Sequence, residues 1–76
     1  MKLLNFKQKK DYIFYLTFED GITQQVNLSQ LLKSKVTLSQ LQTAHIDKDW
    51  GCLEFNQGMT DIDPKTLYNY SINHSL

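Results

Sequence analysis

From Tyr12 to Leu28 the chain alternates. Tyr12, Phe14, Leu16 and Phe18 interleave with Ile13, Tyr15, Thr17 and Glu19, and then Ile22, Gln24, Val26 and Leu28 interleave with Thr23, Gln25 and Asn27. Period-2 alternation rich in aromatic and β-branched residues predicts two strands, and Asp20-Gly21 between them predicts a turn. The loop length decides which faces match. A two-residue loop would set Phe14 opposite Asn27 and place the apolar sets of the two arms on opposite faces. A three-residue loop, Glu19-Asp20-Gly21, sets Phe18 opposite Ile22, Phe14 opposite Val26 and Tyr12 opposite Leu28, so both arms share one apolar face. A one-residue slip would flip every side chain, which fixes the second register. A type I turn closed by Gly21 in the left-handed conformation is the usual way to build it.

Upstream, Leu3 to Gln8 alternates Leu4 and Phe6 against Asn5 and Lys7. It predicts a first strand, joined to the hairpin through Lys9-Lys10-Asp11 to give a three-stranded antiparallel meander. Downstream the period changes. Leu28, Leu31 and Leu32 lie at helical spacing behind Asn27, a good N-cap residue. Thr37-Leu38-Ser39-Gln40 has the form of a capping box and opens a second short helix, with Leu38, Leu41 and Ala44 or His45 facing inward. His45 to Asp47 and Cys52 to Phe55 predict two more short strands around the turn Lys48-Asp49-Trp50-Gly51. Asn56-Gln57-Gly58 is another turn. Asp63-Pro64 predicts the start of a last helix, Asp as N-cap and Pro at the first position, docked by Leu67 with Tyr68 or Tyr70. Ile72 to Leu76 is expected to fray. The expected fold class is α+β, an antiparallel β-meander with short helices packed on one face, in a single domain over residues 1–76.

Composition sharpens this picture in three places. A chain of 76 residues buries only about 60% of its unfolded surface, so its core is thin. Formal charge cancels, but residues 1–35 hold six lysines against three acids, and residues 36–76 hold two lysines against five acids. Arginine is absent, which removes the bidentate fork on which phosphate and nucleic-acid sites rely. The single cysteine cannot close an internal disulfide and fits a reducing compartment. There is no apolar leader segment and no transmembrane-length apolar run, so a cytoplasmic protein without a membrane partner is expected.

Candidate chemistry is sparse. Cys52 with His45 has the residue types of a thiol–imidazole pair, but Cys52 on a short strand reads as a small buried hydrophobe. Asp47-x-Asp49-x-Gly51 resembles the opening of a calcium loop, yet Gly falls one place early and Gly58 stands where the closing Glu belongs. Asp61 and Asp63 form a carboxylate pair, with Asp63 better explained as a helix cap. His74 sits in the tail. No catalytic, cofactor-binding or metal-ligating residues are assigned, and no enzyme activity is expected. The aromatic inventory is the remaining lead. Tyr12, Tyr15, Trp50, Tyr68 and Tyr70 exceed what a core this small can bury, and Tyr and Trp are favoured at binding hot spots.

The blocks LTFEDG (Leu16 to Gly21), VNLSQLL (Val26 to Leu32), DWGCLEFNQG (Asp49 to Gly58) and DIDPKTLY (Asp61 to Tyr68) together resemble the small bacterial family designated domain of unknown function 2442. The resemblance spans residues 3 to 70. It departs at Phe55, where the family usually carries Trp, and by one extra residue between Gly58 and Asp61. It implies a compact α+β domain. Members occur alone or ahead of a helix-turn-helix domain, and many are encoded beside another small protein in a toxin–antitoxin-like arrangement. No helix-turn-helix follows here, so DNA binding through such an appendage is not expected. No catalytic residues are implied.

The functional expectation is a protein–protein interaction module, the antitoxin-like half of a two-protein system, whose partner is a second copy or the neighbouring gene's product. Ile13, Tyr15 and Trp50 are the candidate partner-binding residues. The alternative is a nucleic-acid binder using Tyr12, Tyr15 and the Lys7, Lys9, Lys10 cluster; an enzyme is the remaining and weakest alternative.

Overall fold

Phe14 stands opposite Val26, as the three-residue loop requires. In the computed structural model, which describes residues 1–76, the amide of Phe18 donates to the carbonyl of Ile22 at 3.0 Å and that of Gly21 to the carbonyl of Phe18 at 2.9 Å. Gly21 takes φ of 87°. The hairpin strands are β2 (Ile13–Phe18) and β3 (Thr23–Asn27), and β1 (Leu3–Lys10) completes the meander in the order β1-β2-β3. A second three-stranded antiparallel sheet follows: β4 (His45–Asp47), β5 (Cys52–Phe55) and β6 (Thr60–Ile62), again in chain order. Between the sheets lie α1 (Ser29–Leu32) and a 3₁₀ helix (Leu38–Thr43), and α2 (Pro64–Asn73) comes last.

β1 is longer than its alternation suggests. Lys9 and Lys10, expected in a connection, belong to the strand, and the turn is Asp11-Tyr12 with Asp11 at φ of 50°. Register shifts interrupt its pairing with β2 between Leu3 and Asn5 and between Gln8 and Lys10. At such a bulge two residues oppose one and the side-chain alternation slips. Leu3 is therefore buried opposite Phe18, whereas Leu4, which the alternation grouped with Phe6, is 61% exposed.

The helices follow the sequence in kind and differ in detail. Leu28, not Asn27, occupies the N-cap of α1 and stays buried, while Asn27 Oδ1 accepts the Ser29 amide at 2.9 Å. Gln40 Oε1 accepts the Thr37 amide at 2.9 Å, as in a capping box, but the segment winds as 3₁₀. Leu41 turns inward; Leu38 is exposed, and Val36 just ahead of the helix takes a buried place instead. Asp63 caps α2: its Oδ1 accepts the Thr66 amide at 2.7 Å and its Oδ2 the Thr66 hydroxyl at 2.9 Å. The residues expected to fray are held. Helix α2 runs to Asn73, Ser75 bridges to Val26, and the Leu76 amide donates to the Gln25 carbonyl at 2.7 Å.

One core joins both sheets. Phe14, Leu16, Phe18 and Val26 from the first and Leu53, Phe55 and Ile62 from the second bury against Leu32, Leu41 and Leu67 of the helices. The sheets also touch directly, the Leu3 amide donating to the Gly51 carbonyl at 3.1 Å. On β1, Asn5 Oδ1 accepts the amide of its neighbour Phe6 at 2.9 Å. No helix is long and apolar enough to cross a membrane.

Candidate interaction face

With Phe14, Leu16 and Phe18 committed to the core, the alternation of β2 sends Ile13, Tyr15 and Thr17 to the other side of the sheet. Across the ladder these stand opposite Lys10, Lys7 and Asn5 of β1, and opposite Asn27, Gln25 and Thr23 of β3. Directly opposed side chains lie within about 5 Å of one another, so each apolar residue is flanked by a lysine on one side and an amide on the other. Every one of these nine positions is exposed or half-buried, and Tyr15 is 41% exposed. The face is therefore uncovered by the domain's own helices, with Ile13 half-buried beside Tyr15. Lysine stems can lie along an aromatic ring while the ammonium stays in water, which describes how the isolated chain tolerates it.

Trp50 is elsewhere. It sits in the β4–β5 turn and is 71% exposed. Its neighbour Gly51 bonds to Leu3, at the end of β1 remote from the Lys10–Ile13 pair. The alternation grouped Leu4 with Phe6 and so missed that it shares this end of the sheet. Lys2, Leu3, Leu4, Ile46, Lys48 and Gly51 line a shallow cavity there of about 280 Å³. Nothing in the hydrophobic pattern signals Leu4, because a bulge is a property of two strands and not of one.

The other aromatics are accounted for within the fold. The Tyr12 hydroxyl donates to the Val36 carbonyl at 2.5 Å, Tyr68 to Asp20 Oδ2 at 2.7 Å, and Tyr70 to Gln30 Oε1 at 3.0 Å. Tyr68 also packs edge-on against Phe18, and Tyr70 stacks on His74 at 4.0 Å between centroids. Tyr15 and Trp50 are left as the aromatics that no internal contact explains.

The second sheet carries a different character on its outer side. Opposite Leu53 and Phe55, its alternation sets out His45, Asp47, Cys52, Glu54 and Asp61, with His45 paired to Glu54, Asp47 to Cys52 and Asp61 to Glu54. His45 Nε2 meets Glu54 Oε1 at 2.8 Å, so the imidazole faces a carboxylate and not the thiol. Burial, then the charges of Asp61, Asp47 and Glu54, push the Cys52 thiol up from its ordinary pKa, which disfavours the nucleophilic thiolate. Asp47 accepts the Asp49 amide on its side chain at 3.0 Å and the Gly51 amide on its carbonyl at 2.6 Å, the bonding of a turn. Asp63 is engaged as a cap, and the Thr66 amide and hydroxyl hold its carboxyl below the usual range. No group of three or more His, Cys, Asp or Glu side chains converges as metal ligands would.

A family model described as "Protein of unknown function (DUF2442)" matches residues 4–73. The chain belongs to that family. The match runs from the bulge in β1 to the last residue of α2, so the DUF2442 pattern describes both sheets and the helices together. Phe55, at the position where the resemblance leads one to look for Trp, is fully buried in the shared core. No curated protein and no solved structure matches this DUF2442 chain.

Proposed function

We propose that the domain is a protein–protein interaction module that presents the outer face of the β1–β3 sheet, centred on Ile13 and Tyr15, to another protein chain. The observation that carries the reading is Tyr15: an aromatic ring in the middle of a sheet face, exposed, with no helix over it and no internal hydrogen bond. Rings of this kind contribute to association when a partner removes them from water at low entropic cost. The two-protein arrangement associated with the family suggests an antitoxin-like role in the bacterial cytoplasm, with a second copy or the neighbouring gene's product as the partner. The proposal assigns no catalytic activity, cofactor, metal or membrane contact.

The lysines across from Tyr15 also suit a nucleic acid. That reading is weaker because stacking platforms need successive aromatics, and Tyr12, the second ring it requires, is tied to the Val36 carbonyl.

Tyr15→Asp separates these. The variant should fold, as judged by far-UV circular dichroism, and should lose co-purification with the neighbouring gene's product and any concentration-dependent rise in mass. A folded variant that associates as before overturns the proposal. Retention of the wild type on single-stranded DNA with a steep salt slope, lost in the variant, would move the site to nucleic acid.

A further inference from the structure

We infer that the β1–β3 face around Ile13 and Tyr15 is made to meet the β4–β6 face of another copy of this chain. The inference rests on reading the first face as an interaction surface and adds the identity of what it takes.

Charge selects the occupant. The chain's lysines and acids are segregated along the sequence, and folding turns that into a segregation by sheet, because residues 1–35 build β1–β3 and residues 36–76 build β4–β6. The first outer face carries Lys7 and Lys10 and no carboxylate among its paired positions. The second carries Asp47, Glu54 and Asp61 and no lysine, with Glu54 only 17% exposed and bonded to His45. Burial first, and after it the charges of Asp61, Asp47 and Glu54, raise the pKa of the Cys52 thiol beside them.

Like faces repel. A two-fold contact of the Tyr15 face with itself would bring Lys7 and Lys10 toward their own copies, and a two-fold contact of the acidic face would do the same with carboxylates. Only unlike faces attract. Formal net charge of +0 means that no overall repulsion opposes the approach of two copies.

Size sets the strength. The smaller β4–β6 face, three strands at about 4.8 Å spacing with three or four residues each at about 3.3 Å, gives roughly 160 Å² per side, well under the ~800 Å² per partner of a stable interface. The association is therefore weak, reversible and dependent on ionic strength.

The test is sedimentation of the full chain over a range of concentrations. At about 10 mM salt the screening length is about 30 Å, and at 1 M it is about 3 Å. The wild type should rise in mass with concentration at low salt, and its association constant should fall roughly tenfold or more on going to high salt. Lys7→Glu with Lys10→Glu should stay monomeric, and so should Glu54→Lys with Asp61→Lys. An equimolar mixture of the two variants should associate again, since each supplies the charge the other lacks. Should the lysine pair on β5 and β6 impair folding, Glu54→Gln with Asp61→Asn removes the attraction at constant shape and should also stay monomeric.

A wild type that remains monomeric at low salt, charge-swapped variants that self-associate as the wild type does, or a mixture that stays apart would each overturn the inference. If the wild type is monomeric while Tyr15→Asp still abolishes binding to the neighbouring gene's product, the interaction face stands and only its assignment to a second copy falls.

Discussion

The rings of Phe14 and Phe55 meet edge to face, their centroids 6.3 Å apart and their planes at 84°. Phe14 belongs to the first sheet and Phe55 to the second, so this pair is where the two meanders become one core. Phe55→Ala should cost about 3–5 kcal/mol, the range for emptying a buried aromatic site. Small domains are stable by only about 5–15 kcal/mol in total, and a chain this short belongs at the lower end. Urea unfolding should show the midpoint collapsing, with a single transition if both sheets share the core.

Gly21 and Gly51 both have positive φ, at 87° and 75°, but differ in surroundings. A Cβ at Gly21 meets nothing within 4 Å, whereas one at Gly51 would come within 2.5 Å of Lys2 Cβ and 2.8 Å of its Cα. Gly21→Ala should therefore cost only the left-handed conformation, about 1 kcal/mol. Gly51→Ala should cost distinctly more, because β1 must shift and its bond from Leu3 to Gly51 must stretch. Equal denaturation midpoints for the two variants would contradict this.

Two carboxyls should shape the acid limb of stability. The Tyr68 hydroxyl, chiefly, lowers the pKa of Asp20, and the Thr66 amide, chiefly, lowers that of Asp63. A pKa lowered by folding means a contribution that is present above the unfolded value, about 3.9, and lost as pH falls through the folded one. Thermal midpoints should thus be level at neutral pH and decline below pH ~4. Asp63→Asn keeps a capping side chain but cannot titrate, and Tyr68→Phe releases Asp20. Each should flatten the decline, and an unchanged profile in both would remove these groups from the account.

Cys52 offers a chemical readout. Its raised pKa and burial should make alkylation by iodoacetamide at pH 8 slower in the native protein than in urea. Equal rates would show that the strand does not shield the thiol.

Local chemistry explains what could be read in advance. The hairpin register followed from parity and one glycine, and the α2 cap from an Asp-Pro step. The strands at His45–Asp47 and Cys52–Phe55 have their bounds where the pattern put them. β6 was not legible because Thr60-Asp61-Ile62 has one apolar residue, and only pairing with β5 makes it a strand. The exposure of Leu4 and the half-burial of Tyr12 depend on partners far along the chain, Phe18 and Val36, which no window of sequence contains. Of the candidate residues, Ile13 and Tyr15 were placed on one face by parity alone. Trp50 was grouped with them by residue type, and the turn that carries it belongs to the other sheet.

The β1–β3 sheet is partly capped at both margins. Since Tyr12 and Phe18 bond toward β3, the alternate residues Ile13, Tyr15 and Thr17 bond toward β1, and the Phe6 amide points to the open margin of β1. Asn5 Oδ1 already occupies that amide, and on the far margin Leu76 occupies the Gln25 carbonyl. An incoming chain seeking to extend the ladder finds two of its docking points taken. The sheet is thus a poor seed for fibrillar growth, and crowding of many copies should produce soluble, reversible assemblies in place of cross-β deposits.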